Sequence, residues 1–79
     1  MIKTLKYQVV HQNVVSGEGE PLHTYGIQGF LQVGGKVCDE AEILDITTNP
    51  QIAHYMAEVF ERHQLSLCHL HDVVEDMIG

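Results

Sequence analysis

The fold class this sequence predicts is α+β: a three-stranded antiparallel sheet followed by two helices packed on one of its faces, in the order βββαα. Three observations carry that expectation. Apolar and polar residues alternate through the first half of the chain, and after residue 48 the apolar spacing lengthens to three and four residues. Between the second and third alternating runs stands Gly34-Gly35, a tight hairpin signal. A chain of 79 residues, 44% of them hydrophobic, has room for a single domain, 1–79. A domain of this size buries only about 60% of the surface its unfolded chain exposes, so neither the sheet nor the helices can hide an apolar side alone.

The first strand is expected over 3–15. Leu5, Tyr7, Val9 and Val15 take the odd positions, and Lys6, Gln8 and Gln12 the even ones, the pattern of a strand with one wet face. Ser16-Gly17-Glu18-Gly19-Glu20-Pro21 then breaks the alternation with turn residues. A second strand over 22–33 places His23, Tyr25, Ile27, Leu31 and Val33 on one side, with Thr24, Gln28 and Gln32 opposite. Gly26 and Gly29 inside it mark a bulge or a close backbone approach. The third strand, 36–46, is irregular. Val37, Ala41 and Ile43 share one parity while Leu44 and Ile46 take the other, which predicts a bulge or an early end.

The first helix is expected over 49–63. Thr48-Asn49-Pro50-Gln51 resembles a capping box with an early proline, and Ile52, Met56, Val59, Phe60 and His63 form an apolar stripe. Arg62 and His63 in its last turn suit the helix dipole. After a connection at 64–67, a second helix over 68–78 directs Leu70, Val74 and Met77 toward the core, with Asp72 in its first turns.

His69-Leu70-His71-Asp72-Val73-Val74-Glu75-Asp76-Met77-Ile78 resembles the closing HLxDVVEDfL motif of a family of small uncharacterised bacterial proteins, found mainly in Gram-positive anaerobes and their mobile elements. Tyr25-Gly26-Ile27 and Asp45-Ile46-Thr47 match two further segments of that family, so the likeness touches most of the chain. Cys68 and His71 depart from its pattern. The resemblance implies an α+β mini-domain and no particular activity.

Charge narrows the function classes. Four basic residues against eleven acidic ones give a net charge of -7, which argues against binding a phosphate backbone. Neither glycine pair forms a phosphate-binding motif, and the adjacent Glu75 and Asp76 point apart on a helix, a poor geometry for an acid/base pair. No enzyme is expected. The start of the chain shows no apolar leader, and no run approaches the roughly 18 apolar residues of a membrane span, so a cytoplasmic protein is expected. In that compartment Cys38 and Cys68 read as buried free thiols.

The carboxylates themselves are the sharper signal. Asp39, Glu40, Glu42 and Asp45 crowd the third strand, and Asp72, Glu75 and Asp76 the last helix, with Glu18 and Glu20 in the first loop. Such a surface keeps a small domain soluble, and it also attracts a basic protein partner. A protein that handles nucleic acid carries a basic surface of that kind, and a Cas nuclease is one example. In size and charge, though not in motif, the chain resembles anti-CRISPR inhibitors. The alternative is a zinc-stabilised structural domain using Cys38, Cys68 and His71, the last two being three apart on one helix face, with His63 as a substitute ligand. His54 and Glu58 read as a solvated i, i+4 pair. A homodimer through an exposed sheet edge is a third possibility.

Overall fold

In the computed structural model, which describes residues 2–15 and 17–78, three long strands come first: β1 (Lys3–Val15), β2 (Pro21–Val33) and β3 (Lys36–Thr47). Two helices follow, α1 (Pro50–Arg62) and α2 (Leu70–Ile78), the second led in by a single 3₁₀ turn over Leu67–His69. The sheet is antiparallel with β2 in the centre, so β1 and β3 are both edge strands. The expected fold class and order are therefore observed. Ser16, the first residue of the expected loop, lies outside the described residues; Gly17 to Glu20 beyond it form the turn.

β1 and β2 pair without a slip from Lys3 opposite Val33 to Val15 opposite Pro21. The β2–β3 connection has both Gly34 (φ 59°) and Gly35 (φ 84°) in the left-handed region, the requirement of a type I′ hairpin. β3 is interrupted twice. Leu31 pairs with Asp39 and Gln32 with Val37, so Cys38 is an extra residue. Further along, Ile27 pairs with Ile43 but Tyr25 with Thr47, leaving Leu44, Asp45 and Ile46 opposite Gly26. Asp45 takes a positive φ of 55° there, and a Cβ on Gly26 would strike the Ile43 carbonyl oxygen and come within 2.9 Å of Leu44 Cα. The mixed parity of Ala41, Ile43, Leu44 and Ile46 is the sequence trace of this bulge.

The core lies between one face of the sheet and the helices. It consists of Tyr7, Ile27, Met56, Ala57, Phe60, Leu70 and Val74, flanked by half-buried Leu5, Val9, Ala41, Ile43 and Leu67. Each large apolar side chain fully buried there contributes roughly 1.5–3 kcal/mol. Phe60 meets Tyr7 edge-on, with centroids 5.6 Å apart at 68°. Gly29 leaves the space Tyr7 occupies: a Cβ at that position would lie 2.6 Å from Tyr7 Cε1 and 2.7 Å from Leu67 Cδ2.

The helix faces differ in detail from those the spacing predicts. α1 buries Ala53, Met56, Ala57 and Phe60, while Ile52 and His63 are exposed and Val59 is half-buried. The stripe is rotated because small Ala53 and Ala57 allow close approach to the sheet, which a ranking by hydrophobic size overlooks. Asn49, not Thr48, is the N-cap; its Oδ1 accepts from Gln51 N–H at 2.9 Å, while Thr47 Oγ1 accepts from Asn49 N–H. α2 buries Leu70 and Val74 as expected, but Met77 near its end is exposed.

The molecule measures 50 × 24 × 19 Å. Thirteen-residue strands reach about 43 Å, whereas a thirteen-residue helix covers about 20 Å. The far end of the β1–β2 hairpin consequently projects beyond the helices, with Val15 and Leu22 exposed. No helix of the described residues is long and apolar enough to cross a membrane.

Candidate functional site

The two edges of the sheet are finished differently. Along β1 the C-terminal end of α1 supplies substitute strand partners. Leu5 N–H donates to Gln64 Oε1 at 2.8 Å, Gln64 Nε2 donates to the Leu5 carbonyl at 2.9 Å, and Tyr7 N–H donates to Glu61 Oε1 at 3.0 Å. These contacts cover part of an edge that would otherwise present open backbone groups. Gln64 itself has φ 50°, where the chain turns out of α1. The sequence gives no local sign of this role, because Glu61 and Gln64 bond to residues more than fifty positions away.

Along β3 no helix side chain of the described residues bonds to the outer backbone; the strand is lined by carboxylates instead. Asp39, Glu40, Glu42 and Asp45 are all exposed. Glu40 stands opposite Phe30 and Glu42 opposite Gln28, on the sheet face turned away from the helices. Asp39, opposite Leu31, takes the helix-side face, and Asp45 projects from the bulge. Two strand residues i and i+2 are separated by about 7 Å, less than the Debye length of roughly 8 Å in physiological salt, so the fields of Glu40 and Glu42 add.

α2 packs beside β3 and extends this charge into the helix layer. Its buried side carries Leu70 and Val74, which leaves Asp72, Glu75 and Asp76 exposed at i, i+3 and i+4, one stripe of the helix. All seven expected carboxylates are exposed but not gathered on one surface: Glu40 and Glu42 lie on the sheet face turned away from the helices, and Asp72, Glu75 and Asp76 on the side of α2 opposite its buried stripe. Among the described residues none of the seven pairs with a lysine or arginine. Glu75 meets His71 Nε2 at 3.1 Å, and a carboxylate–arginine pair, Glu58 with Arg62 at 2.8 Å, lies on α1.

The residues expected to hold zinc are not gathered. Among the described residues no three His, Cys, Asp or Glu side chains stand close enough to hold a metal ion. Cys38 Sγ, at the β3 bulge, lies 3.6 Å from the Lys36 carbonyl; Cys68 Sγ lies 3.2 Å from Ser66 Oγ; and His71 faces Glu75. Both thiols are free and exposed, not buried as their apolar character predicts. Cys38 is the unpaired residue of a bulge on an edge strand, and Cys68 sits in the 3₁₀ turn outside the α2 core stripe. His63, the substitute ligand, is the exposed C-cap of α1.

Concavities flank the sheet. One of about 500 Å³ lies between the start of β1 and the α1–α2 connection, lined by Lys3, Leu5, Leu31, Asp39, Gln64, Ser66, Leu67 and Cys68. Another of about 550 Å³ follows β1 and α1 past Tyr7, Val9, His54 and Glu61. Tyr7, whose hydroxyl donates to the Leu65 carbonyl, has its phenol pushed up to about 12, first by burial and second by the nearby Cys68. A phenol so held is a structural hydrogen-bond donor at neutral pH and no ready base.

No curated protein and no solved structure matches the chain. One family model does, and it spans residues 2–79, nearly the whole sequence. The chain belongs to that family, described as a family of unknown function (DUF6514).

Proposed function

We propose that this domain is a non-catalytic protein-binding module whose β3–α2 side engages a basic surface on its partner. The observation that carries the reading is the open β3 edge, an edge strand with four exposed carboxylates; three more are exposed on α2. Carboxylates on an edge oppose pairing with a second copy of the same strand and favour a partner of opposite charge. The seven negative charges raise the encounter rate with a basic protein, and the unpaired backbone of β3 gives that protein somewhere to dock.

The class of partner follows from which proteins carry concentrated positive charge. Proteins that grip DNA or RNA do so through Lys/Arg surfaces, so an acidic domain of this size acts as their inhibitor by occupying the nucleic-acid site. A CRISPR effector such as a Cas nuclease is one candidate partner among several, on the resemblance in size and charge to anti-CRISPR proteins, and the cytoplasm is where they would meet. The test is a competition experiment. Increasing amounts of the domain are added to a Cas9-type nuclease holding fluorescently labelled duplex DNA. The wild-type domain displaces the DNA, and the variant combining Asp39→Lys, Glu40→Lys and Glu42→Lys does not. If the wild-type domain leaves the DNA bound at saturating concentration, inhibition of this nuclease class by occupancy is wrong.

A further inference from the structure

The uncovered part of the β1 edge differs in its chemistry from β3. Leu5 and Tyr7 turn their N–H groups outward, to Gln64 and Glu61. β1 pairs with β2 without a slip, so the two-residue period turns the N–H groups of Val9, His11 and Asn13 outward as well. Among the described residues no backbone or side-chain group accepts from these three. They lie toward the hairpin end that projects beyond the helices. The guards found on β3 are missing there: residues 7–17 contain no Asp, Glu, Lys, Arg or Pro, and the strand has no bulge.

Residues 9–15 read Val-Val-His-Gln-Asn-Val-Val, nearly the same in both directions about Gln12. Laid antiparallel against a second copy, with a two-fold axis at Gln12, the segment matches itself. Val9 meets Val15, Val10 meets Val14, His11 meets Asn13, and Gln12 meets Gln12. β-branched side chains set directly opposite one another stabilise such a ladder. Freedom from charge matters too, because two chains of net charge -7 repel wherever their carboxylates meet.

We propose that a second copy of this chain is the partner of the β1 edge, paired antiparallel over residues 9–15. Two three-stranded sheets become one continuous sheet, with the helices of both copies on the same face. The acidic β3 edges form its two outer ends, so the dimer stands independently of the basic partner proposed for β3 and leaves both edges open to it. The paired surface is small, which makes the dimer a concentration-dependent one.

Sedimentation equilibrium of the full chain from micromolar to millimolar concentration measures the association, with circular dichroism confirming that each variant folds. The wild-type chain converts from monomer to dimer. Asn13→Pro removes an outward N–H that β2 does not use, and raises the dissociation constant about tenfold or more. The Asp39→Lys, Glu40→Lys, Glu42→Lys variant still dimerises. Register is read by cross-linking in a Cys38→Ser, Cys68→Ser background. Across the two-fold axis the Cα atoms of residue 12 lie about 4.5 Å apart, within reach of a disulfide. Diamide therefore oxidises Gln12→Cys to a covalent dimer and leaves Gln8→Cys monomeric. A wild-type chain that stays monomeric at millimolar concentration overturns the proposal. So does cross-linking at position 12 no faster than at position 8, or dimerisation that is lost in the β3 variant and kept in Asn13→Pro.

Discussion

Replacing the two buried glycines of β2 with alanine should give two different losses, because the obstacles differ in kind. At Gly29 the new methyl would lie 2.6 Å from Tyr7 Cε1 and 2.7 Å from Leu67 Cδ2, both side-chain atoms. Leu67 can rotate, but Tyr7 is tethered by its N–H to Glu61, by its hydroxyl to Leu65 and by its ring to Phe60. Overpacking of this sort costs about 1–3 kcal/mol. At Gly26 the obstacle is the backbone of β3, namely the Ile43 carbonyl oxygen and Leu44 Cα, which cannot move without opening the bulge. The loss there should exceed about 3 kcal/mol. Gly17, with nothing within 4 Å, is the control, and alanine there should stay within about 0.5 kcal/mol of wild type. A 79-residue domain has a total stability of about 4–12 kcal/mol, so Gly26→Ala removes much of it. Urea unfolding followed by circular dichroism measures all three, and 1 kcal/mol corresponds to about 4–8 °C in the melting temperature of a domain this small. Gly26→Ala as stable as Gly17→Ala would refute the close approach of β3 to β2.

Other expectations follow from single contacts. Asn49→Ala removes the side-chain acceptor for Gln51 N–H and should cost about 0.5–2 kcal/mol, whereas Thr48→Ala should cost little; equal losses in urea unfolding would mean the cap is misassigned. Tyr7 ionises more readily unfolded than folded, since its folded phenol is raised from 10.0 to about 12. Its stabilising contribution is complete below pH 10 and is lost as pH rises from 10 through 12. Stability of the wild-type chain should therefore fall more steeply than that of Tyr7→Phe across this window, and parallel curves would contradict the burial of the phenol. Leu70→Ala, at a position 1% exposed, should cost about 2–5 kcal/mol, and a loss below 1 kcal/mol would show that α2 is not anchored by it.

Much of the fold is legible in the residues because local and global signals agree. Gly34-Gly35 demands a hairpin of one type, Leu5, Tyr7 and Val9 demand one buried face, and Asn49-Pro50 opens a helix wherever it falls. The parity break from Ile43 to Leu44 announces a bulge, although only the fold shows that Gly26 is the residue making room for it. What escapes is whatever depends on contacts distant in sequence. The apolar stripe of α1 is rotated by Ala53 and Ala57, whose value lies in being small against the sheet. Glu61 and Gln64 look like ordinary helix-end residues until β1 lies beside them. Cys38 and Cys68 have the composition of buried thiols, yet a bulge and a 3₁₀ turn put them outside. His11 and His23, whose ring nitrogens lie 2.9 Å apart, become neighbours only through the hairpin register. The exposure of the carboxylates was legible, since Asp39, Glu40, Glu42 and Asp45 share one strand and Asp72, Glu75 and Asp76 one helical stripe. How the two groups lie relative to each other depends on the packing of α2 beside β3.

Recruitment of a basic partner by the charge of β3 and α2 would show itself in association kinetics. Stopped-flow rates for the domain and a Cas9-type nuclease are measured across ionic strength, for the wild-type chain and for the Asp39→Lys, Glu40→Lys, Glu42→Lys variant. The wild-type rate should fall steeply with salt and the variant should be slower by about tenfold or more at low salt, the two converging when charge is screened. Rates that match at every salt concentration and do not respond to it would contradict the claim.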